Sequence, residues 1–379
     1  MAKKKEDDIG KKEKDMYCTD PTSDGIQLKI KRYKPTRGEI AKFPVILCHG
    51  VLANKHSLDF GDNQKAGLKK LWNKYSLAAY LYKGGDNNDI KFDVWVPELR
   101  GKRSFRDFDC NFPDTPEKYN WCIDDYIEKD VEAIISCVQR EYGFSVPVFW
   151  IGMSMGGMLG YAYGETECGF KNLKGVVTIG SPVAFEHSYG FLFEIIIRVL
   201  PPREISVMFN LKEFLEKFPA LRDYIIKNGA NPDNVDEKIM DKYIQLGFDN
   251  YLSSKILSHF AMFFRHNNFC CYPPYPWAYD ILDKIPLLRK YIGPYSYKDN
   301  LHKFKTPLLA IAGGADKEAP PSEVKYAVGH VGSKDVTYCE FSERSPFTDI
   351  NYGHLDFHLG RRVRKEVYPL IHQWLKERI

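Results

Sequence analysis

Apolar residues recur along this chain in two rhythms. Short unbroken runs stand at Val45–Cys48, Val94–Val96, Val148–Ile151, Val176–Ile179 and Leu308–Ile311, bounded by Gly or Pro. Continuous runs of this length suit parallel strands buried on both faces. Ile26, Leu28 and Ile30 alternate with Gln27, Lys29 and Lys31 beside the Asp24-Gly25 turn, which predicts a half-buried early strand. Ile127, Val131, Ile134, Ile135 and Val138 recur at helical spacing and make one apolar face, and Val363, Val367, Leu370, Ile371 and Trp374 repeat that pattern near the end. Strands alternating with helices predict an α/β fold, a mostly parallel sheet flanked by helices.

The alternation stops after Ser181 and resumes at about Lys305. The stretch between them reads as largely helical, carries several Pro breaks and is enriched in aromatic residues. Two readings of that composition stand side by side, a helical cap over an apolar pocket and a small helical subdomain with its own aromatic core. Sheet-forming sequence flanks the stretch on both sides, so it is an insertion. The expected organisation is a charged, disordered leader over 1–16, a first core segment over 17–181, a helical insertion over 182–304, and a second core segment over 305–379.

Composition narrows the function classes. The chain has 54 basic and 50 acidic residues, a net charge of +4, too balanced to argue for a nucleic-acid partner. No apolar run approaches the ~18 residues that span a bilayer. The leader mixes six lysines with five acids and has no apolar core behind them, unlike a secretory signal. The nine cysteines are therefore expected as reduced thiols in a cytoplasmic protein. Neither they nor the ten histidines show a zinc-ligand spacing, and no metal or cofactor is expected. Tyr189–Leu200, rich in Phe and Ile, is a candidate for peripheral membrane contact, with packing on the core the favoured alternative. Oligomeric state is not legible.

The strongest chemical signal is Gly152-Met153-Ser154-Met155-Gly156-Gly157, directly after one strand run and before the helix-like Met158–Ala162. A strand ending in a strained turn that opens a helix would push Ser154 Oγ out at the carboxyl edge of the sheet, and the glycines permit the close backbone approach. A serine hydroxyl needs a base to take its proton and an acid to orient that base. His354 follows the strand-like Val336–Phe341, and Asp316 follows Leu308–Ala315, an apolar run ending in small residues. Both positions are where loops after later strands reach a site. Backbone donors for a tetrahedral oxygen are expected from Met155 and from Val51, with His49 and Gly50 bracing the Val51 loop. Asp356 reads as a capping or loop-bracing acid, and the remaining histidines, His358 among them, have no comparable context.

These pieces, with Asp24–Leu28, Arg32-Tyr33, Pro97–Gly101, Gly313–Asp316 and Gly353-His354, occur in an order that resembles the α/β-hydrolase superfamily. The Gly-x-Ser-Met-Gly-Gly elbow is similar to that of monoacylglycerol-lipase-like and serine-aminopeptidase-like hydrolases, and His354-Leu-Asp-Phe357 is similar to the acid lipases. Many relatives carry His where this chain has Met153. The resemblance implies Ser154 as nucleophile, His354 as base, Asp316 as acid and an oxyanion hole from Val51 and Met155. Polyhydroxyalkanoate synthases share the architecture but use Cys at the nucleophile, so Ser154 counts against polymer synthesis. The leading expectation is a serine esterase or lipase acting on small-molecule esters or lipids of apolar acids, with aromatics such as Phe191, Phe193, Phe260, Phe263 and Phe264 against the acyl chain. An acyltransferase using the same triad, or a non-catalytic binding protein of this fold, are the alternatives.

Overall fold

A computed structural model of the chain describes residues 15–102, 118–186, 208–248, 251–282, 284–285 and 293–379. Its strands are β1 Met16–Cys18, β2 Lys29–Tyr33, β3 Val45–Cys48, β4 Val94–Pro97, β5 Val148–Met153, β6 Leu173–Ile179, β7 Met208–Asn210, β8 Tyr251–Ser253, β9 Leu308–Gly313 and β10 Val336–Phe341. Eight of them form one sheet in the order β1-β2-β4-β3-β5-β6-β9-β10. The run from β4 to β10 is parallel, whereas β2 pairs antiparallel with both β1 and β4. After β3 the chain steps outward to β4, then returns to the other side of β3 as β5. That reversal opens a crevice at the carboxyl ends of β3 and β5, where open α/β sheets hold their ligands.

The central strands are buried throughout, as their unbroken apolar runs require. The early strand differs from its expected place. Ile26 is only partly buried and the strand runs Lys29–Tyr33, with Lys31 and Arg32 also buried. Arg32 is tolerated inside because its guanidinium meets Asp93 at 2.7 Å and lies 4.4 Å over the Trp95 ring. Polar-apolar alternation fails as a guide where a buried partner neutralises the polar side.

The helix expected around Ile127–Val138 extends from Ile123 to Arg140 and includes a π-helical turn at Tyr126–Asp130. Asp130, fully buried, accepts from the Arg100 backbone amide at 3.0 Å and from its Nε at 2.7 Å, while Arg100 Nη1 reaches Asp24 at 2.6 Å. Removing one member of such a pair leaves a buried charge uncompensated. Asp130→Ala is therefore expected to destabilise the fold by about 3–5 kcal/mol, read as a lowered denaturant midpoint. An unchanged midpoint would contradict the pairing.

Between β6 and β9 lie the helices Leu211–Lys217, Pro219–Gly229, Glu237–Gly247, Ser254–His266 and Pro276–Leu282, with β7 and β8 paired antiparallel as a separate two-stranded sheet. Among the described residues no helix is long and apolar enough to cross a membrane. β1 begins at Met16, one residue inside the expected leader. One expectation is corrected: Cys18 is disulfide-bonded, whereas Cys48, Cys122, Cys137, Cys168, Cys270, Cys271 and Cys339 are free thiols.

Candidate active site

Ser154 stands alone between the end of β5 at Met153 and the helix Met155–Gly164. Its backbone has φ 54°, a left-handed value that a residue with a side chain adopts only when its surroundings hold it there. They do so through close packing. A Cβ on Gly156 would lie 2.4 Å from the Cys48 carbonyl oxygen, so only glycine lets this helix start against the end of β3. Among the described residues Ser154 Oγ makes no hydrogen bond.

Asp316 follows β9, and His354 lies beyond β10 in the loop before the last helix, Val363–Lys376. The two meet at 2.8 Å between Asp316 Oδ2 and His354 Nδ1. A carboxylate only accepts, so Nδ1 carries the proton and Nε2 keeps its lone pair. The other carboxylate oxygen, Oδ1, accepts from the amides of Glu318 at 2.9 Å and Ala319 at 2.8 Å. Gly180, after β6 at φ 53°, leaves room for the pair: a Cβ there would lie 3.0 Å from Asp316 Oδ2 and 3.2 Å from His354 Cε1. Burial works against the imidazolium, but the charge and hydrogen bond of Asp316, aided by Glu318, outweigh it and raise the His354 pKa. Asp356, two residues on, turns away from this pair. It accepts from the Asn231 amide and Asn234 Nδ2, both at 2.8 Å, and braces the loop against the preceding helical segment.

His49, Gly50 and Val51 follow β3. His49 Nδ1 donates to the Gly50 carbonyl at 2.8 Å, and its Nε2 accepts from the Leu99 amide at 3.2 Å. Burial holds that imidazole neutral, with its pKa pushed down to about 3. In a trans peptide the Gly50 carbonyl and Val51 N–H point in opposite directions, so holding the first aims the second away from His49. Lys102 Nζ then donates to the Val51 carbonyl at 2.9 Å and fixes the next peptide plane. Neither the Val51 nor the Met155 amide has an acceptor among the described residues. Met155 opens a helix, where the first amides are unpaired by geometry.

Residues 44–201 match the alpha/beta hydrolase fold family. "Triacylglycerol lipase 2" of Arabidopsis thaliana is 23% identical over 376 residues, covering 94% of this chain and 83% of that protein. An esterase from Exiguobacterium antarcticum superposes with a TM-score of 0.56 at 14% identity, covering 95% of this chain and 98% of the other. A thermophilic esterase from Thermogutta terrifontis gives 0.54 at 14% identity, covering 96% and 98%. The chain has the α/β-hydrolase fold.

In this fold, Ser154 and His354 line one cavity of about 130 Å³ together with Gly50, Val51, Met153 and Met158 from the sheet side. Its other wall comes from the segment between β6 and β9 and includes Ile225, Phe248, Phe260 and Phe264. Phe263 is buried elsewhere, stacked on Phe185, and Phe191, Phe193 and the Tyr189–Leu200 stretch lie outside the described residues.

Three further residues of the site carry little or no signal in the sequence. Lys102 had no signal, because only the fold brings it to the Val51 carbonyl. His358 lines the cavity although its sequence context suggested nothing. Glu318 lines the cavity beside His354, and burial pushes its carboxyl up to about 7, with His354 opposing and Asp316 adding to the rise. An imidazole accepts a proton only while neutral, so a reaction that used His354 as its base would slow as pH drops through the raised His354 pKa. Glu318→Gln removes one of the charges that raise it, and the acid limb of kcat/KM should move to lower pH. A limb that stays in place would show that the two groups do not interact.

A possible cation cluster also lies among the described residues, with ligand atoms of Cys122, Asp124 and His259 within 4.8 Å of one another. Hydrogen bonds account for it. His259 accepts from the Ile123 amide at 3.3 Å and donates to the Cys270 carbonyl at 2.8 Å, and Asp124 accepts from the Tyr272 amide at 2.7 Å.

Proposed function

We propose that this protein is a serine hydrolase of carboxylic esters with apolar acyl groups, working through an acyl-enzyme. The observation that carries the reading is a serine held at φ 54° between a strand and a helix, on the same cavity as a histidine already paired with a buried aspartate. In this mechanism His354 Nε2 takes the Ser154 Oγ proton as Oγ attacks the ester carbonyl. The amides of Val51 and Met155 hold the developing oxyanion. The imidazolium, stabilised by Asp316, returns the proton to the departing alcohol. Water then repeats the sequence on the acyl-enzyme and frees the acid.

The segment over 182–304 acts in this reading as a cap on the acyl pocket. Phe248, Phe260 and Phe264 from that segment support it, since they line the cavity opposite the sheet. The cavity, at about 130 Å³, is close to the ~150 Å³ that takes up one benzene molecule in an engineered core. Short acyl groups fit that size best. Purified protein assayed on p-nitrophenyl esters from acetyl to palmitoyl is expected to favour the short members. Folded protein inert on every ester would overturn the hydrolase reading, and a palmitoyl optimum would overturn the sizing.

A further inference from the structure

One corner of the cavity is polar, and the ester chemistry does not use it. Ser57, on the short 3-10 helix Lys55–Ser57, Tyr243, on the helix Glu237–Gly247, and His358, on the short helix Asp356–Leu359, all line the pocket that holds Ser154 and His354. Each is at most 2% exposed. Ser57 Oγ and the Tyr243 hydroxyl lie 3.1 Å apart, and the Tyr243 ring centre is 4.8 Å from that of His358. Around this corner the lining is apolar, with Met153, Met158, Phe248 and Phe260.

The hydrogen-bond accounting of the corner does not close. Neither ring nitrogen of His358 has a hydrogen-bond partner among the described residues. Burial pushes its pKa down to about 3, with His354 adding to the fall, so the ring is neutral and offers one N–H and one lone pair. Between Ser57 and Tyr243 a single proton is shared, which leaves the other hydroxyl proton unused. Buried polar groups are almost always paired, and leaving them facing hydrocarbon is costly. A plain alkyl chain in this pocket would impose that cost. A group that both donates and accepts would remove it.

We infer that Ser57, Tyr243 and His358 form a subsite for a hydroxyl group carried on the acyl chain of the substrate. The inference rests on the ester-hydrolase reading for its placement. The alcohol must leave before water can attack the acyl-enzyme, so the acyl part is what remains beside this buried corner. The preferred substrates are then esters of hydroxylated short-chain acids, and plain fatty esters are the poorer class because they strand the corner's polar atoms.

The test uses the full-length protein and ethyl esters of hexanoic acid and of hydroxyhexanoic acids with the hydroxyl at successive carbons, following acid release by titration. One positional isomer should show kcat/KM about tenfold above the plain ester, the worth of one well-made hydrogen bond. In His358→Leu and in the smaller change Ser57→Ala, that ratio should fall toward one. Taking the ratio within each protein removes any difference in folded amount. N-ethyl amides of the same acids, titrated by NMR, give the comparison without turnover: wild type should bind one hydroxylated amide about tenfold more tightly than the plain one. Equal binding of plain and hydroxylated amides by wild type would mean that the corner takes only water, and the inference falls. An amide preference without hydrolysis of any ester would leave the subsite standing and overturn the ester-hydrolase reading instead.

Discussion

Ser154→Ala is expected to reduce ester turnover by at least about four orders of magnitude. Alanine keeps the Cβ and the strained backbone and removes only the oxygen, so the thermal midpoint should stay within a few degrees of wild type. Oγ is the atom to which the acyl group becomes bonded in the proposed reaction, and Ser57, another serine on the cavity wall, is hydrogen-bonded to Tyr243. The check is kcat on a short p-nitrophenyl ester, with the melting curve recorded on the same sample. A variant that is folded and retains a tenth of wild-type turnover would place the nucleophile elsewhere.

Asp316→Asn is the second large effect, and its direction follows from the two carboxylate oxygens having different jobs. Oδ1 faces two backbone amides, at 2.9 and 2.8 Å, and must remain an acceptor. Asparagine therefore keeps its carbonyl on that side and turns its NH₂ toward His354 Nδ1. The imidazole then has to accept at Nδ1 and carries its proton on Nε2, the nitrogen that should receive the Ser154 proton. With the wrong tautomer favoured and the imidazolium no longer stabilised, kcat should fall by about 10⁴-fold with little change in fold. A loss below tenfold would show that Asp316 does not orient His354. Asp356→Asn makes the contrast, since Asp356 hydrogen-bonds Asn231 and Asn234.

The parts of this fold legible in the sequence are those set by local rules. Val45–Cys48 is a strand over its whole expected length, because a strand buried on both faces demands apolar residues on both; Val336–Phe341, a partly buried edge strand, also runs its expected length. Ser154 was legible because a strained turn between strand and helix needs glycine at fixed offsets. Asp316 and His354 were placed by the strand-like runs that precede them and by their order after Ser154, and the structure brings them within a hydrogen bond of each other. What stayed hidden depends on contacts between distant segments. Lys102, 51 residues beyond Val51, acts on its carbonyl only once β3 and β4 lie side by side. Arg32 follows Leu28 and Ile30 on the inward face of the alternation, and the Asp93 and Trp95 contacts that let a guanidinium sit there come from a distant segment. His358 and Glu318 look like surface residues, and they become cavity wall only when the loops after β9 and β10 meet the helices between β6 and β9. Cys18 shows no spacing signal at all, yet it is bonded.

The central claim is that the acyl group passes through a covalent bond to Ser154 Oγ. Rapid quenching of the protein in acid during turnover of a short p-nitrophenyl ester, followed by peptide mass spectrometry, tests it most directly. One acyl group is expected on the peptide containing Ser154, absent from Ser154→Ala and formed more slowly in Asp316→Asn. Turnover with an unmodified Ser154 peptide, or an acyl group bonded to another residue, would contradict it.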